Sequence, residues 1–321
     1  MTPKTIAVFR SLDELPVAFG PSVVAIGNFD GVHCGHREIL AAVVAEARER
    51  GARAVAITFD PHPEQFLRPE RAPLLITPLA ERLRLLSETG VDAILALRFD
   101  AALAGLTAHE FVQRILIDAL GVRGVHEGET FRFGHRAAAG VGELAAFGAA
   151  LGFTVRVHGA VRVHGLEVSS SAVRALVASG DMRRARWMLG RPFTVLSTPA
   201  RGRGIGTRLL VPTVNLAPYS GLLPALGVYV TRLRIGGQAF DAVTNVGNRP
   251  TFGEPSFAVE SHILNFAPDF LPVELNDETP LEIEFLLRLR NEMKFPSAEA
   301  LKMQIFGDIA RAKRYLRLKK G

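Results

Sequence analysis

Apolar residues recur in two different rhythms along this chain. From Pro21 to about Val161, short unbroken apolar runs alternate with segments that keep a helical spacing. Ser22–Ile26, Ala54–Phe59 and Val91–Leu97 read as buried strands. His36–Arg50 places Ile39, Leu40, Val43, Val44 and Ala47 on one helical face. A second helix is predicted from Thr77-Pro78 to Gly90, with proline in its first turn and glycine just past its end. Thr107 and Glu110 have capping-box spacing for a helix that stops at Gly121. Ala137–Val155 is the most apolar stretch. It holds Glu143 and four glycines (Gly140, Gly142, Gly148, Gly152), so it reads as an amphipathic surface helix running into a strand and not as a membrane span. This alternation predicts a parallel sheet covered on both faces, a Rossmann-like α/β domain.

Ser171–Gly190 is predicted helical, and after Gly190 the rhythm changes. Short β-rich runs follow: Phe193–Thr198, Leu209–Leu216, Val228–Ile235, Phe240–Asn245, Ala258–Phe266 and Leu281–Leu289. Gly236-Gly237 between two of them reads as a hairpin turn. Closely spaced strands with glycine and proline punctuation predict a small antiparallel β-barrel. A terminal helix over Ser297–Leu318 would pack on it. We place the domain boundary between residues 186 and 187, giving domains 1–186 and 187–321. No internal repeat is visible.

At 321 residues the chain is long enough for two self-sufficient cores. The single cysteine, Cys34, excludes an intrachain disulfide and a multi-cysteine zinc site. Met1–Pro16 has no signal-like apolar core, and the chain reads as cytoplasmic. The net charge of +6 would suit nucleic acid, acidic membranes or phosphorylated small molecules. Its arginines are scattered without interleaved aromatics, so a nucleic-acid module is disfavoured, and no nucleic-acid or membrane partner is expected. No lysine occurs between Lys4 and Lys294. A GxxxxGK[ST] phosphate loop is therefore absent, and any ATP chemistry must use other donors.

Between the first strand and its helix lies Gly27-Asn28-Phe29-Asp30-Gly31-Val32-His33-Cys34-Gly35-His36. Glycines let backbone approach a phosphate, and His33 and His36 at a helix start can donate hydrogen bonds to a triphosphate. The alternative is a tight turn with two surface histidines. Thr58-Phe59-Asp60-Pro61-His62-Pro63 follows the second strand, at the sheet end where ligands bind, although a proline-stiffened loop would look the same. Ser169-Ser170-Ser171 opens a later helix as caps do, and Arg174 one turn on adds a fixed positive charge.

In the second half, Arg201–Arg208 with Gly204 and Gly206 is a flexible basic loop leading into Pro212-Thr213-Val214-Asn215. Arginines and backbone amides can replace a lysine as phosphate donors. Thr213 and Asn215 offer hard oxygens suited to Mg²⁺. Asn245-Val246-Gly247-Asn248-Arg249-Pro250-Thr251-Phe252 comes next, then Glu260-Ser261-His262. Glu260 could serve as a general base or be an outward, solvated acid.

These motifs carry a resemblance. GNFDGVHxGH, TFDPHP, Phe131-Arg132-Phe133-Gly134 and SSSxxR resemble, in order, the adenylyltransferase domain of prokaryotic bifunctional riboflavin kinase/FAD synthetases. GxGIGxRxxxPTxN, NxGxRPTF, the following glutamate and Leu281–Phe295 resemble the riboflavin kinase domain. Together they span essentially the whole chain. The resemblance implies two ATP-dependent reactions, riboflavin to FMN and FMN to FAD. It implies that Gly27, Asn28, Phe29, Asp30, Gly31, His33, His36, Ser170, Ser171 and Arg174 hold the triphosphate for adenylyl transfer. Asp60, Pro61, His62, Thr130 and Phe131 would border the flavin. In the kinase, Glu260 would be the base acting on the ribityl hydroxyl, Thr213 and Asn215 the magnesium ligands, and Gly204, Gly206, Asn245, Arg249 and Arg290 the ATP and flavin contacts.

The sequence departs from the pattern on the flavin side. Thr130 stands where an acid or amide is usual, and His126 and Glu127 occupy normally apolar strand positions. Ala137-Ala138-Ala139 replaces basic residues, Ser171 a threonine and Val214 an alanine. These departures leave a second possibility, a riboflavin kinase carrying a degenerate adenylyltransferase domain.

Overall fold

The computed structural model describes residues 6–200, 213–249, 256–265, 276 and 278–319. Its contacts divide the chain into two compact units, Met1–Ser170 and Ser171–Gly321.

The first unit runs β1 (Ala7–Phe9), β2 (Ser22–Ile26), α1 (Cys34–Glu49), β3 (Arg53–Asp60), α2 (Pro63–Leu67), α3 (Leu79–Ser87), β4 (Ala93–Arg98), α4 (Ala101–Gly105) and α5 (Ala108–Phe111). It continues with β5 (Val122–Gly128), β6 (Arg132–Phe133), β7 (Ala139–Gly140), α6 (Val141–Leu151), β8 (Thr154–His158), β9 (Arg162–Val163) and β10 (Leu166–Glu167). Six strands form one wholly parallel sheet in the order β1-β4-β3-β2-β5-β8. Strand β1 is too short for its period to show in the sequence, and it pairs along the edge with Ala93–Leu95.

Both faces of the sheet are covered, which is why β2 is buried at every position. Val24, Ile26, Val55, Ile57 and Leu95 pack with Val112, Ile115, Leu116 and Leu144. On the other face Val23, Ala25, Ala56 and Ile94 meet Leu40, Val43 and Val44 of α1. The chain moves outward from β2 through β3 on one side, and β5 joins on the other. Strand order therefore reverses between β2 and β5, and a crevice is expected at their carboxyl ends.

The capping box is present: Glu110 N–H donates to Thr107 Oγ1 at 3.2 Å and Thr107 N–H donates to the Glu110 carboxylate at 2.9 Å. Beyond α5 the helix widens into a π-helical stretch over Val112–Ala119. The apolar spacing of Val112, Ile115 and Leu116 suits either winding, so the sequence pattern did not reveal it.

Helix α7 (Ser170–Ser179) starts at the last residue of the first unit and otherwise belongs to the second, and α8 (Met182–Leu189) follows it. The predicted helical segment is thus two helices, broken at Gly180, whose φ of +81° is left-handed. Then come β11 (Phe193–Ser197), β12 (Pro199–Ala200), β13 (Thr213–Leu216), β14 (Gly227–Ile235), β15 (Gln238–Arg249), β16 (Ser256–Ile263), β17 (Leu281–Asn291) and α9 (Ala298–Leu318). These strands form a fully antiparallel sheet, β11-β17-β14-β15-β16-β13-β12, curled into a half-barrel. Gly236 and Gly237, with φ of 54° and 81°, make the predicted two-residue turn between paired Ile235 and Gln238.

Side chains alternate across this sheet. Tyr229, Thr231, Leu233, Ile283 and Phe285 are buried on one face. A chain of hydroxyls crosses it, with Thr231 and Thr244 2.7 Å apart and Thr244 and Ser261 2.8 Å apart. On the other face Val228, Val230, Val243 and Leu287 pack beneath Ala312 and Leu316 of α9.

Candidate functional site

In the first unit the segment after β2 is a tight loop. Phe29, Gly31 and Val32 have φ of 48°, 83° and 38°. Positive φ is unusual for a β-branched valine and costs about 1–3 kcal/mol, so the surroundings must hold the loop. They do so through buried groups. The Asp30 carboxylate accepts Ile76 N–H at 3.0 Å and Thr77 N–H at 2.9 Å, and Gly31 N–H donates to Thr77 Oγ1 at 3.0 Å. Ser170, the first residue of α7, donates its hydroxyl to the Asp30 carbonyl at 2.9 Å.

His33 caps α1. Its Nδ1 accepts His36 N–H at 3.3 Å, so Nε2 of a neutral ring carries the proton. The His33 and His36 rings stack with centroids 3.6 Å apart. Gly35 permits this: a Cβ there would lie 3.3 Å from the His33 ring. Burial, then the neighbouring His33, pushes His36 well below the ordinary imidazole range. His36 Nδ1 is buried and meets no hydrogen-bond partner among the described residues. Two imidazoles at a helix start, with one buried His36 ring nitrogen unpartnered among the described residues, form a polar cradle for an anion.

The loop after β3 joins the same constellation. Asp60–Pro61 is a cis peptide, and His62 caps α2 by accepting Glu64 N–H at 3.2 Å. The Asn28 side-chain amide meets His62 Nε2 at 3.1 Å, which ties the two loops together.

Arg82 was missed from the sequence. It is 1% exposed and donates to the carbonyls of Asn28 (2.8 Å) and Phe59 (2.9 Å), with Asp60 3.9 Å away. Burial pulls its pKa down against the opposing pull of Asp30 and Asp60. A signal was available: this arginine shares the apolar face of α3 with Leu85 and Leu86. Thr77, which appeared only as a helix-start residue, is a second anchor of the loop.

Gly27, Asn28, Phe29, Asp30, Gly31, His33, His36 and Ser170 are thus gathered at the carboxyl end of β2. Ser171 and Arg174 follow on the first turns of α7, exposed and half-buried respectively. Thr130 is exposed at the turn after β5, and Phe131 stacks on Phe133 with centroids 5.5 Å apart.

His126 and Glu127 are both buried and both partnered. His126 Nε2 lies 2.9 Å from the carboxylate of Glu46 on α1, and its Nδ1 lies 3.0 Å from His158 Nε2. Arg50 and Arg156 each reach Glu46 at 2.8 Å. On the opposite face, Glu127 accepts Ile26 N–H at 2.6 Å. Burial holds its carboxyl well above the usual range despite the N–H donors of Ile26 and Gly128.

In the second unit, strand register brings the remaining candidates together. Asn215 on β13 stands opposite Glu260 on β16, and Glu260 stands opposite Asn245 on β15. Asn245 faces Val228, which faces Arg290 on β17. Directly opposed residues share a face, so these five form one row across the sheet. Thr213 lies two residues from Asn215 on the same face, opposite His262. One end of this face is polar, with Glu260 exposed, and the other end is covered by α9. Arg290 is drawn toward the helix, where its Nε donates to buried Asp308 at 2.8 Å. Arg249 ends β15; its side chain, with Gly204, Gly206 and most of the two motif loops, lies outside the described residues.

Comparison with known proteins gives both halves a family. The FAD synthetase family matches residues 17–172 and the riboflavin kinase family residues 189–316. A bifunctional riboflavin kinase/FMN adenylyltransferase of Pseudomonas fluorescens is 38% identical over 95% of this chain and 96% of its own length. Its namesake in Escherichia coli K12 is 33% identical over 93% of this chain and 94% of its own. The chain belongs to the bifunctional riboflavin kinase/FMN adenylyltransferase family.

A solved structure described as a macrolide-efflux protein from Streptococcus pneumoniae is also similar. It has a TM-score of 0.85 and 27% identity over 96% of this chain and 98% of its own. Among the described residues of this family member, no helix is long and apolar enough to cross a membrane. The polar side chains of His126 and Glu127 each have a buried partner, so the sheet accommodates them.

Proposed function

We infer that this chain phosphorylates riboflavin to FMN within residues 187–321 and adenylylates FMN to FAD within residues 1–186, using ATP in both steps. The boundary follows the motifs and not the contacts, because Arg174 completes the motif begun at Ser169 on a helix that packs with the second unit.

For the kinase, one observation carries the reading: Glu260 shares a row and a face with Asn215 and Asn245. A carboxylate there accepts the proton of the ribityl hydroxyl as its oxygen bonds the γ-phosphorus and ADP departs. Such base catalysis contributes about 10²–10⁴ in rate. The hydroxyl of Thr213 and the amide oxygen of Asn215 suit Mg²⁺, which prefers few protein oxygens and keeps phosphate and water ligands. Bound there, the ion would neutralise phosphate charge. Asn245 and Arg249 on the neighbouring strand would orient the substrates, with Gly204 and Gly206 lining the phosphates and Arg290 bracing the site through Asp308.

For adenylyl transfer, the FMN phosphate attacks the α-phosphorus of ATP and pyrophosphate leaves. His33 and His36 donate hydrogen bonds as charge builds on the phosphates, and Ser170, Ser171 and Arg174 hold the chain from the other side. Asp60, Pro61, His62, Thr130 and Phe131 border the flavin. The use of ATP and the single cysteine favour the cytoplasm as the site of action.

A timed assay with riboflavin, ATP and Mg²⁺ tests both steps at once. FMN should appear first and FAD should follow from it. FMN that accumulates with no FAD would remove the second activity.

A further inference from the structure

The pairing of β2 with β5 stops one residue short of the end of β2. It runs from Ser22↔Val122 to Ala25↔His126 and goes no further. On its other side β2 stays attached: Ile26 pairs with Ile57, and Gly27 N–H donates to the Ile57 carbonyl at 3.0 Å. The two strands part where the strand order reverses, as they must to open a crevice. Parting would leave the Ile26 N–H without a partner inside the core, where Ile26 is only 3% exposed.

Glu127 fills that gap. Its Oε1 accepts the Ile26 N–H at 2.6 Å, and the side chain is 4% exposed. Residue 127 lies on the same strand face as Val125, whose side chain packs in the core cluster containing Ile26. An apolar side chain at this position would offer no acceptor. The residue that Glu127 holds directly precedes Gly27, where the strained loop begins.

We propose that Glu127 is a positioning residue for the nucleotide loop: by capping the open end of the β2–β5 ladder it fixes Ile26, and with it the entry to Gly27–His36. This rests on the reading that the loop binds ATP. A loop with three residues at positive φ is not favoured locally and depends on its anchors. Asp30 with Thr77 and Asn28 with Arg82 hold its middle; Glu127 holds its root. Apparent affinity scales with the fraction of molecules whose loop is correctly formed. Loss of the anchor therefore weakens ATP binding more than the chemical step.

The test compares Glu127→Val and Glu127→Gln in the full-length chain. Three quantities are read: exchange of the Ile26 amide hydrogen, FAD formation from FMN at varied ATP, and FMN formation from riboflavin. An unpaired buried donor corresponds to about tenfold in an equilibrium constant. Glu127→Val should accelerate Ile26 exchange and raise the ATP KM for FAD formation by about that factor. The accompanying change in kcat should be smaller, and FMN formation should persist. Glu127→Gln, whose amide oxygen still accepts, should recover most of both losses. An unchanged KM, a glutamine variant as impaired as the valine variant, or unaltered Ile26 exchange would overturn the proposal. Wild-type protein that makes no FAD would instead overturn the adenylyl-transfer reading, and the exchange rates would then decide the anchoring claim alone.

Discussion

Asn215 and Glu260 are directly opposed residues of adjacent antiparallel strands, so their side chains leave the sheet on the same face. Opposed residues of this kind have Cβ atoms about 4.5–5.5 Å apart, close enough for both to reach one ligand. The arrangement follows from the period-two alternation of β16. Val259, Ser261 and Ile263 are buried, which sends Glu260 and His262 to the other face. A register slip of one residue would bury the acid and expose Ser261, so the buried hydroxyls of Thr244 and Ser261, 2.8 Å apart, help keep Glu260 where it is.

Arg82→Met should weaken the first unit by about 2–4 kcal/mol, because it removes a buried cation's bonds and leaves carbonyls short of donors. Urea unfolding of the first unit measures this. FAD formation should fall with it, while FMN formation survives below the transition. A variant with normal FAD synthesis and unchanged stability would show that Arg82 does not tie the two loops.

Glu127 should make the fold lose stability as pH rises above 4.5. Its folded pKa is raised above the ordinary 4.5, so the folded state binds the proton more tightly than the unfolded chain does. The associated stability is complete below 4.5 and is lost as pH rises toward the folded value. The thermal midpoint of Glu127→Gln relative to wild type should therefore climb with pH. A constant difference between the two would contradict the buried neutral carboxyl.

His126 and Glu46, on the other face of β5, should respond with the opposite sign. Burial lowers His126 against the pull of Glu46. Burial would raise Glu46, but the hydrogen bond from His126 and the charges of Arg50, His126 and Arg156 bring it below its ordinary value. Both folded values are depressed, so stability present at neutral pH is lost on acidification. The loss begins below the ordinary histidine value of 6.5 and continues below the ordinary glutamate value of 4.5. His126→Val should flatten the upper part of that acid limb in thermal unfolding, and an unchanged slope would exclude His126 as its source.

Much of this was legible in the sequence, and the exceptions have physical reasons. Strand–helix alternation implied the parallel sheet, and the glycine pair implied the hairpin at Gly236-Gly237. The loop Gly27–His36 stood out because glycines and paired histidines at a strand–helix junction suit phosphate chemistry. The row Asn215–Glu260–Asn245 could not be read directly. Register depends on pairing between strands far apart in sequence, and only motif order suggested that these residues meet. Arg82 was obscured because one buried arginine among many scattered ones looks like surface charge. Glu127 and His126 stood out as odd residues, but only the structure supplies their partners, Ile26 N–H and Glu46.

The two-site account is tested most directly by assaying Glu260→Gln and His36→Ala for each reaction separately. Glu260→Gln should lose FMN formation by about 10²-fold or more and still convert supplied FMN to FAD. His36→Ala should keep FMN formation and lose FAD. Folded variants in which either substitution stops both reactions, or neither, would contradict it.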